Sequence, residues 1–177
     1  EKKEYLNFFP KTTISSLNAR KLTYLRGSNF IYNLAHTRKY IIKIGTWLFI
    51  HAGLLPHIAK KYSIEKMNHN IKQWMLKKID TNEINDLLIF PNSPVWTRDF
   101  SSQNCNISII NKTLKLTNSE HMVIGHTPQI FPIKGINSTH NNKIFKIDTG
   151  MSKAFGNDSN SRIQVLEIIN DKKIKIL

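Results

Sequence analysis

Three side chains in this sequence stand where chemistry could be done. His51 closes the apolar run Trp47-Leu-Phe-Ile-His51 and is followed by Ala52 and Gly53. His126 closes a second apolar run, Val123-Ile-Gly-His126, and is followed by Thr127 and Pro128. A strand that ends in a small-residue turn delivers polar side chains to the cleft at the edge of an α/β sheet. Neutral imidazole is a common ligand of divalent transition metals, so two strand-end histidines could supply part of a metal site. Two ligands do not complete one, and singly each histidine reads more readily as a hydrogen-bonded residue of the core. Arg98, one of five arginines, follows Trp96-Thr97. Its guanidinium fork suits a bidentate grip on phosphate or carboxylate, or a surface ion pair with Asp99. His36, His57, His69, His121 and His140 lie in polar or helical surroundings and are given no role.

The elements that must position these residues follow from periodicity and turn chemistry. A weak helix is expected over 14–25 (Ile14, Leu17, Leu22, Leu25), broken by Gly27, and a second over 28–37 with Ser28 as N-cap. Two short apolar runs, 40–44 and 47–51, flank Gly45-Thr46 and read as a β-hairpin. An amphipathic helix is expected over 56–79, opened by Pro56 and recapped at Ser63, with Ile64, Met67, Ile71 and Trp74 on its apolar face. Residues 93–98 read as a short extended piece and 106–117 as a helix. Strands are expected at 122–125, 143–147, 162–169 and 172–176, the last two joined by a two-residue Asn170-Asp171 turn. Helices early and strands late suggest layered α/β structure in a single domain over 1–177, with no repeat or linker.

Composition adds little that is specific. The chain of 177 residues has 26 Lys+Arg against 12 Asp+Glu, a net charge of +14. Such a balance suits nucleic acid, anionic membrane or phosphorylated partners. Yet the excess is nearly all Lys, over-used together with Ile and Asn, as A+T-rich coding produces by itself. The 56–79 helix carries Lys60, Lys61, Lys66, Lys72, Lys77 and Lys78, which reads first as a solvated face and second as a membrane-surface element. No run approaches the roughly 20 apolar residues of a spanning helix. A single cysteine, Cys105, excludes a disulfide scaffold and a Cys-based zinc module and leans toward the cytoplasm. The chain opens without an initiator Met or a signal-peptide core, from which an upstream segment is expected.

Four motifs taken in order resemble the calcineurin-like metallophosphoesterases: Phe49-Ile-His-Ala-Gly-Leu54, Pro94-Val-Trp-Thr-Arg98, Val123-Ile-Gly-His-Thr-Pro128 and Ile147-Asp-Thr-Gly-Met-Ser-Lys-Ala-Phe-Gly156. The last is most similar to the phosphoprotein-phosphatase branch that includes the Shewanella-like protein phosphatases. The resemblance covers about residues 28–169. It implies that His51 and His126 bind one metal of a dinuclear pair and that Arg98 grips substrate phosphate. Asp148 is implied to be structural. The cofactors implied are two divalent ions (Mn, Fe or Zn), about 3.5–4 Å apart in such sites. The partner implied is a phosphorylated protein or a small phosphoester, with no specific nucleic acid. The implied fold is α/β, the C-terminal part of a β-sandwich of two mixed sheets flanked by helices, incomplete here.

The departures are as informative. The family's Asp-x-His, Gly-Asp-x-x-Asp-Arg-Gly and Gly-Asn-His-Glu motifs do not occur in the chain, and Pro128 stands where relatives have a histidine. Those motifs carry every ligand of the first metal, the bridging aspartate, the general-acid histidine and a second phosphate arginine. The expectation is therefore a phosphatase C-terminal portion, inactive alone, whose N-terminal half comes in cis or trans. The alternatives are a degenerate family member kept as a binding module, and a basic nucleic-acid-binding domain.

Overall fold

Apolar residues run almost unbroken through the central strands because both faces of the sheet are covered. The computed structural model describes residues 16–89, 91–130, 134–155 and 163–177; Ile14, Gly156 and Arg162, which entered the expectations above, lie outside them. The sheet contains β1 (Ile41–Ile44), β2 (Trp47–Ile50), β3 (His121–Ile124), β4 (Asn137–Thr139) and β5 (Ile144–Lys146). Their order is β1-β2-β3-β5-β4, with β2, β3 and β5 mutually parallel and the two edges antiparallel. The strands β6 (Leu166–Ile169) and β7 (Lys173–Ile176) form a separate antiparallel pair.

Strand parity assigns the faces. Leu48, Ile50, Met122, Ile124 and Ile144 point to one side, where they meet Ile58 of α3 (Pro56–Lys61), Met67 and Ile71 of α4 (Ile64–Met75), and Leu87 of α5 (Asn85–Leu88). Ile110 and Leu114 of α6 (Ile107–Leu116) complete that core. Each such side chain taken from water contributes about 1.5–3 kcal/mol. The alternate residues Trp47, Val123 and Phe145 point to the other side and pack against Phe49, Leu166, Ile168 and Ile174. The order is thus helices, mixed sheet, hairpin. A mixed α/β architecture is what the sequence leads one to expect; among the described residues the second layer consists of two strands.

The hairpin is pinned at its turn. Asp171 accepts the Thr46 N–H on both carboxylate oxygens (3.0 and 3.2 Å), and its main-chain oxygen accepts Trp47 Nε1–H at 3.1 Å. Three expectations need correction. The recap expected at Ser63 forms, its side chain accepting the Lys66 N–H at 3.1 Å and separating α3 from α4, but α4 ends at Met75 rather than at 79. Residues 93–97 are a turn, the Ser93 carbonyl accepting the Trp96 and Thr97 N–H groups. The β6–β7 register pairs Ile169 with Lys173, so three residues, not two, lie in the loop; Asn170 and Asp171 both take positive φ. The cap at Ser28 of α2 (Asn29–Thr37), the 41–50 hairpin and α6 form as expected. The weak helix expected first is α1 (Ser16–Thr23), and β4 is a strand that the polar sequence Asn137-Ser-Thr139 conceals.

Candidate functional site

The parallel register places Ile50, Ile124 and Lys146 side by side at the ends of β2, β3 and β5. His51, His126 and Asp148 follow within one or two residues, so all three emerge at the carboxyl edge of neighbouring parallel strands, where α/β sheets bind ligands. The Gly125 N–H donates to the His51 carbonyl at 2.8 Å, tying the two strand ends together.

His51 Nε2 and His126 Nδ1 lie 3.0 Å apart, with the rings tilted 64°. At that separation one nitrogen donates and the other accepts, unless both lone pairs turn to a shared ion. Zinc–nitrogen bonds of about 2.0–2.1 Å place two imidazole nitrogens on one ion about 3.0–3.4 Å apart. The pair therefore fits two adjacent ligand positions of a single divalent metal. It is not a full set: among the described residues no three His, Cys, Asp or Glu gather in one place.

His126 is held in a costly conformation. Its φ is +66°, and the Thr127 N–H donates back to the Gly125 carbonyl at 2.7 Å, a γ-turn with a non-glycine residue at its centre. Such a residue costs on the order of 1–3 kcal/mol and is found where a site requires it. Its Nε2 is enclosed without a hydrogen bond of normal geometry, and the Trp96 ring stands edge-on at 5.6 Å. Burial first, then the neighbouring His51 and Arg98, pushes the His126 pKa below the usual imidazole value; the Trp96 main chain and Asp148 oppose this. The shift favours the neutral imidazole, the form that ligates metals.

Arg98 is brought to the same edge. Its Nη1 donates to Thr127 Oγ1 at 2.8 Å, so its partner is the residue after His126 and not Asp99. The 93–105 segment that carries it is fastened at several points. The Pro94 carbonyl accepts the Ala52 N–H at 2.9 Å, and Phe100 is buried against Gly53. Lys146 Nζ donates to the Ser102 carbonyl at 3.0 Å, and Thr139 Oγ1 to that of Gln103 at 2.9 Å. Gly53 has φ +136°, and a Cβ there would stand 2.2 Å from the Phe100 ring. Asp148 accepts the Gly150 N–H at 3.0 Å while its carbonyl accepts that of Gln129 at 2.7 Å, a turn-holding geometry.

Sequence reasoning missed Thr127 and Trp96 as members of this group. Both lie inside the quoted motifs, and only their partners reveal them. Of the histidines given no role, His121 stacks on Trp47 (4.1 Å, 21°) and His140 bonds the Cys105 carbonyl at 2.7 Å.

Two histidines and an arginine at the carboxyl edge of an α/β sheet form a candidate functional site, and comparison with known proteins supplies its context. No protein-family model matches the chain. The uncharacterized protein R398 of Acanthamoeba polyphaga mimivirus is 34% identical over 191 residues, covering 89% of this chain and 74% of that protein. Shewanella-like protein phosphatase 2 of Arabidopsis thaliana is 31% identical over 139 residues, covering 76% of this chain and 34% of its own. Among solved structures, the cold-active protein-tyrosine phosphatase of a psychrophilic Shewanella species superposes with a TM-score of 0.60 at 24% identity, over 76% of this chain and 39% of that one. A further structure of a cold-active protein tyrosine phosphatase gives 0.61 at 23% identity, over 79% and 42%. The chain is thus homologous to a Shewanella-like protein phosphatase and shares the fold of the Shewanella cold-active protein tyrosine phosphatase, in each case over part of the relative's length, which is consistent with a calcineurin-like phosphoesterase. It spans about a third of the plant relative and about two fifths of the solved structures. No helix among the described residues is long and apolar enough to cross a membrane.

Proposed function

We propose that this chain supplies one part of a dinuclear-metal phosphatase centre that hydrolyses phosphomonoesters, with phosphorylated protein the substrate class. The observation that carries the reading is the 3.0 Å approach of His51 Nε2 to His126 Nδ1 across two parallel strand ends. His51 and His126 are the residues that would hold one ion; a metal so held activates water and stabilises charge on a phosphoryl group. Arg98, positioned by Thr127, presents a cation at the same edge for phosphate oxygens. Trp96 shields His126 from one side.

The remaining ligands and the general acid belong, on this reading, to a preceding portion of the domain in the same or another chain. That portion supplies further strands beside β6 and β7, completing a second mixed sheet. The chain alone is then inactive. Mn, Fe or Zn all suit an imidazole pair joined by carboxylates.

The test is a domain completed with the preceding portion and assayed on p-nitrophenyl phosphate and phosphopeptides with added Mn²⁺. His51→Ala and His126→Ala should each lose bound metal and nearly all turnover. Arg98→Ala should keep its metal and lose phosphate affinity. Full turnover and metal content in His51→Ala would refute the assignment.

A further inference from the structure

The strongest unassigned feature lies at the outer edge of β1. A cleft of about 680 Å³ opens between the end of α2, β1 and α4. Arg38, Lys39, Lys43 and Lys72 line it, with Glu65 the one carboxylate among its lining residues. None of the four cations has an ion-pair partner among the described residues. The cleft lies on the far side of β1 from β2 and β3, and it shares no lining residue with the His51–His126 group.

The main chain of β1 meets this cleft at two residues, Ile41, which is already bonded, and Lys43, which is open. In an antiparallel pair, successive residues turn their N–H and C=O groups alternately toward and away from the partner strand. Ile41 turns away from β2, because its N–H donates to Asn68 Oδ1 (3.1 Å) and its carbonyl accepts Asn68 Nδ2–H (2.9 Å). The Asn68 amide thus stands where the peptide group of another strand would stand. Lys43, two residues on, also turns outward, and among the described residues nothing hydrogen-bonds to its N–H or C=O. Side-chain parity then gives the edge two characters. Lys43 faces the helix side with the other cations, whereas Ile42 and Ile44, on the opposite side, are 41% and 63% exposed.

We propose that an extended segment of a partner protein adds as a strand to the outer edge of β1. Alternate acidic side chains of that segment face Lys43, Lys72 and Arg38, and the apolar side chains between them cover Ile42 and Ile44. Main-chain pairing supplies affinity and the alternation supplies specificity, as in other strand-addition complexes. The cations also raise the encounter rate with an acidic segment.

Fluorescence anisotropy of labelled short peptides tests this on the whole chain. A peptide alternating Glu and Val should bind more tightly than one of the same composition with its glutamates in a block. It should also bind more tightly than single-stranded RNA of equal charge. Lys72→Glu should weaken the alternating peptide about five-fold or more. Lys43→Pro removes the outward N–H without touching the ladder to β2, which an edge strand tolerates. It should therefore bind about five-fold more weakly than Lys43→Ala. N-methylation of alternate peptide residues reports the same pairing without altering the protein. Equal binding of the blocked peptide, tighter binding of RNA, indifference to N-methylation or no peptide binding would each overturn the proposal.

Discussion

Gly53→Ala is the substitution whose cost the structure specifies best. Gly53 follows His51 by two residues, at φ +136°, where an L-residue is strained. The added Cβ would stand 2.2 Å from Phe100 Cδ2 and 2.7 Å from Cε2, closer than atoms approach. Phe100 is 1% exposed and belongs to the main core, so the ring has no open space to enter. Backbone strain of about 1–3 kcal/mol and overpacking of similar size sum to roughly 2–6 kcal/mol. Against a total stability on the order of 5–15 kcal/mol this is a large fraction. Urea unfolding followed by tryptophan fluorescence should show the midpoint falling by about 2 M. Gly125→Ala is the matched control. Its Cβ would meet the His51 carbonyl at 3.7 Å, an ordinary contact, and its φ is not left-handed. Its midpoint should shift by less than about 0.5 kcal/mol equivalent. Phe100→Ala removes the obstructing ring at a cost of about 3–5 kcal/mol. The double variant should then cost less than the sum of the singles, because the two residues share one clash. Equal midpoints for the Gly53 and Gly125 variants, or strict additivity in the double, would refute the reasoning.

Removing the Asp171 carboxylate strips the Thr46 N–H of its acceptors and loosens the hairpin from Trp47. Asp171→Ala should cost about 1–3 kcal/mol in urea unfolding, whereas Asp171→Asn, which retains an acceptor and tolerates positive φ, should cost less. The His126 pKa is depressed in the folded state, so above the unfolded value near 6.5 the residue is neutral in both states and its contribution is fully present. As pH falls from there through the folded value, the unfolded chain binds the proton first and stability is lost. In chelator, the unfolding midpoint of the parent chain should decline on acidification more steeply than that of His126→Asn; parallel curves would remove the assignment.

Much of the architecture is legible because it is local. Ser28 and Ser63 announce helix starts through their own side-chain oxygens, and Gly45 and Asn170-Asp171 announce turns. The apolar runs at 47–51 and 122–125 read as strands without any knowledge of their neighbours, and the strands form within a residue of those bounds. Where the reading failed, a competing local force decided. The Ser93 carbonyl captured the Trp96 and Thr97 N–H groups and made a turn of a segment that had read as extended. In β4 the polar residues of Asn137-Ser-Thr139 are retained by contacts from distant segments, such as Gln103 Nε2–H donating to Asn137 Oδ1 at 2.7 Å.

The sequence by itself determined which residues could do chemistry here: the strand-end positions of His51 and His126 and the motif that contains Arg98 are written in residue type and spacing. It also carried the resemblance to the Shewanella-like phosphatases, because four short motifs in one order are recognisable without coordinates. Only the tertiary structure decided that the two imidazoles meet, since they are 75 residues apart and are joined by the parallel register of β2 and β3. It likewise assigned Arg98 to Thr127 rather than to the adjacent Asp99, and revealed the open edge of β1. The physical reason is common to all three. A hydrogen bond or a shared ligand position depends on atoms within about 3 Å, and chain spacing says nothing about that distance once segments tens of residues apart are folded together.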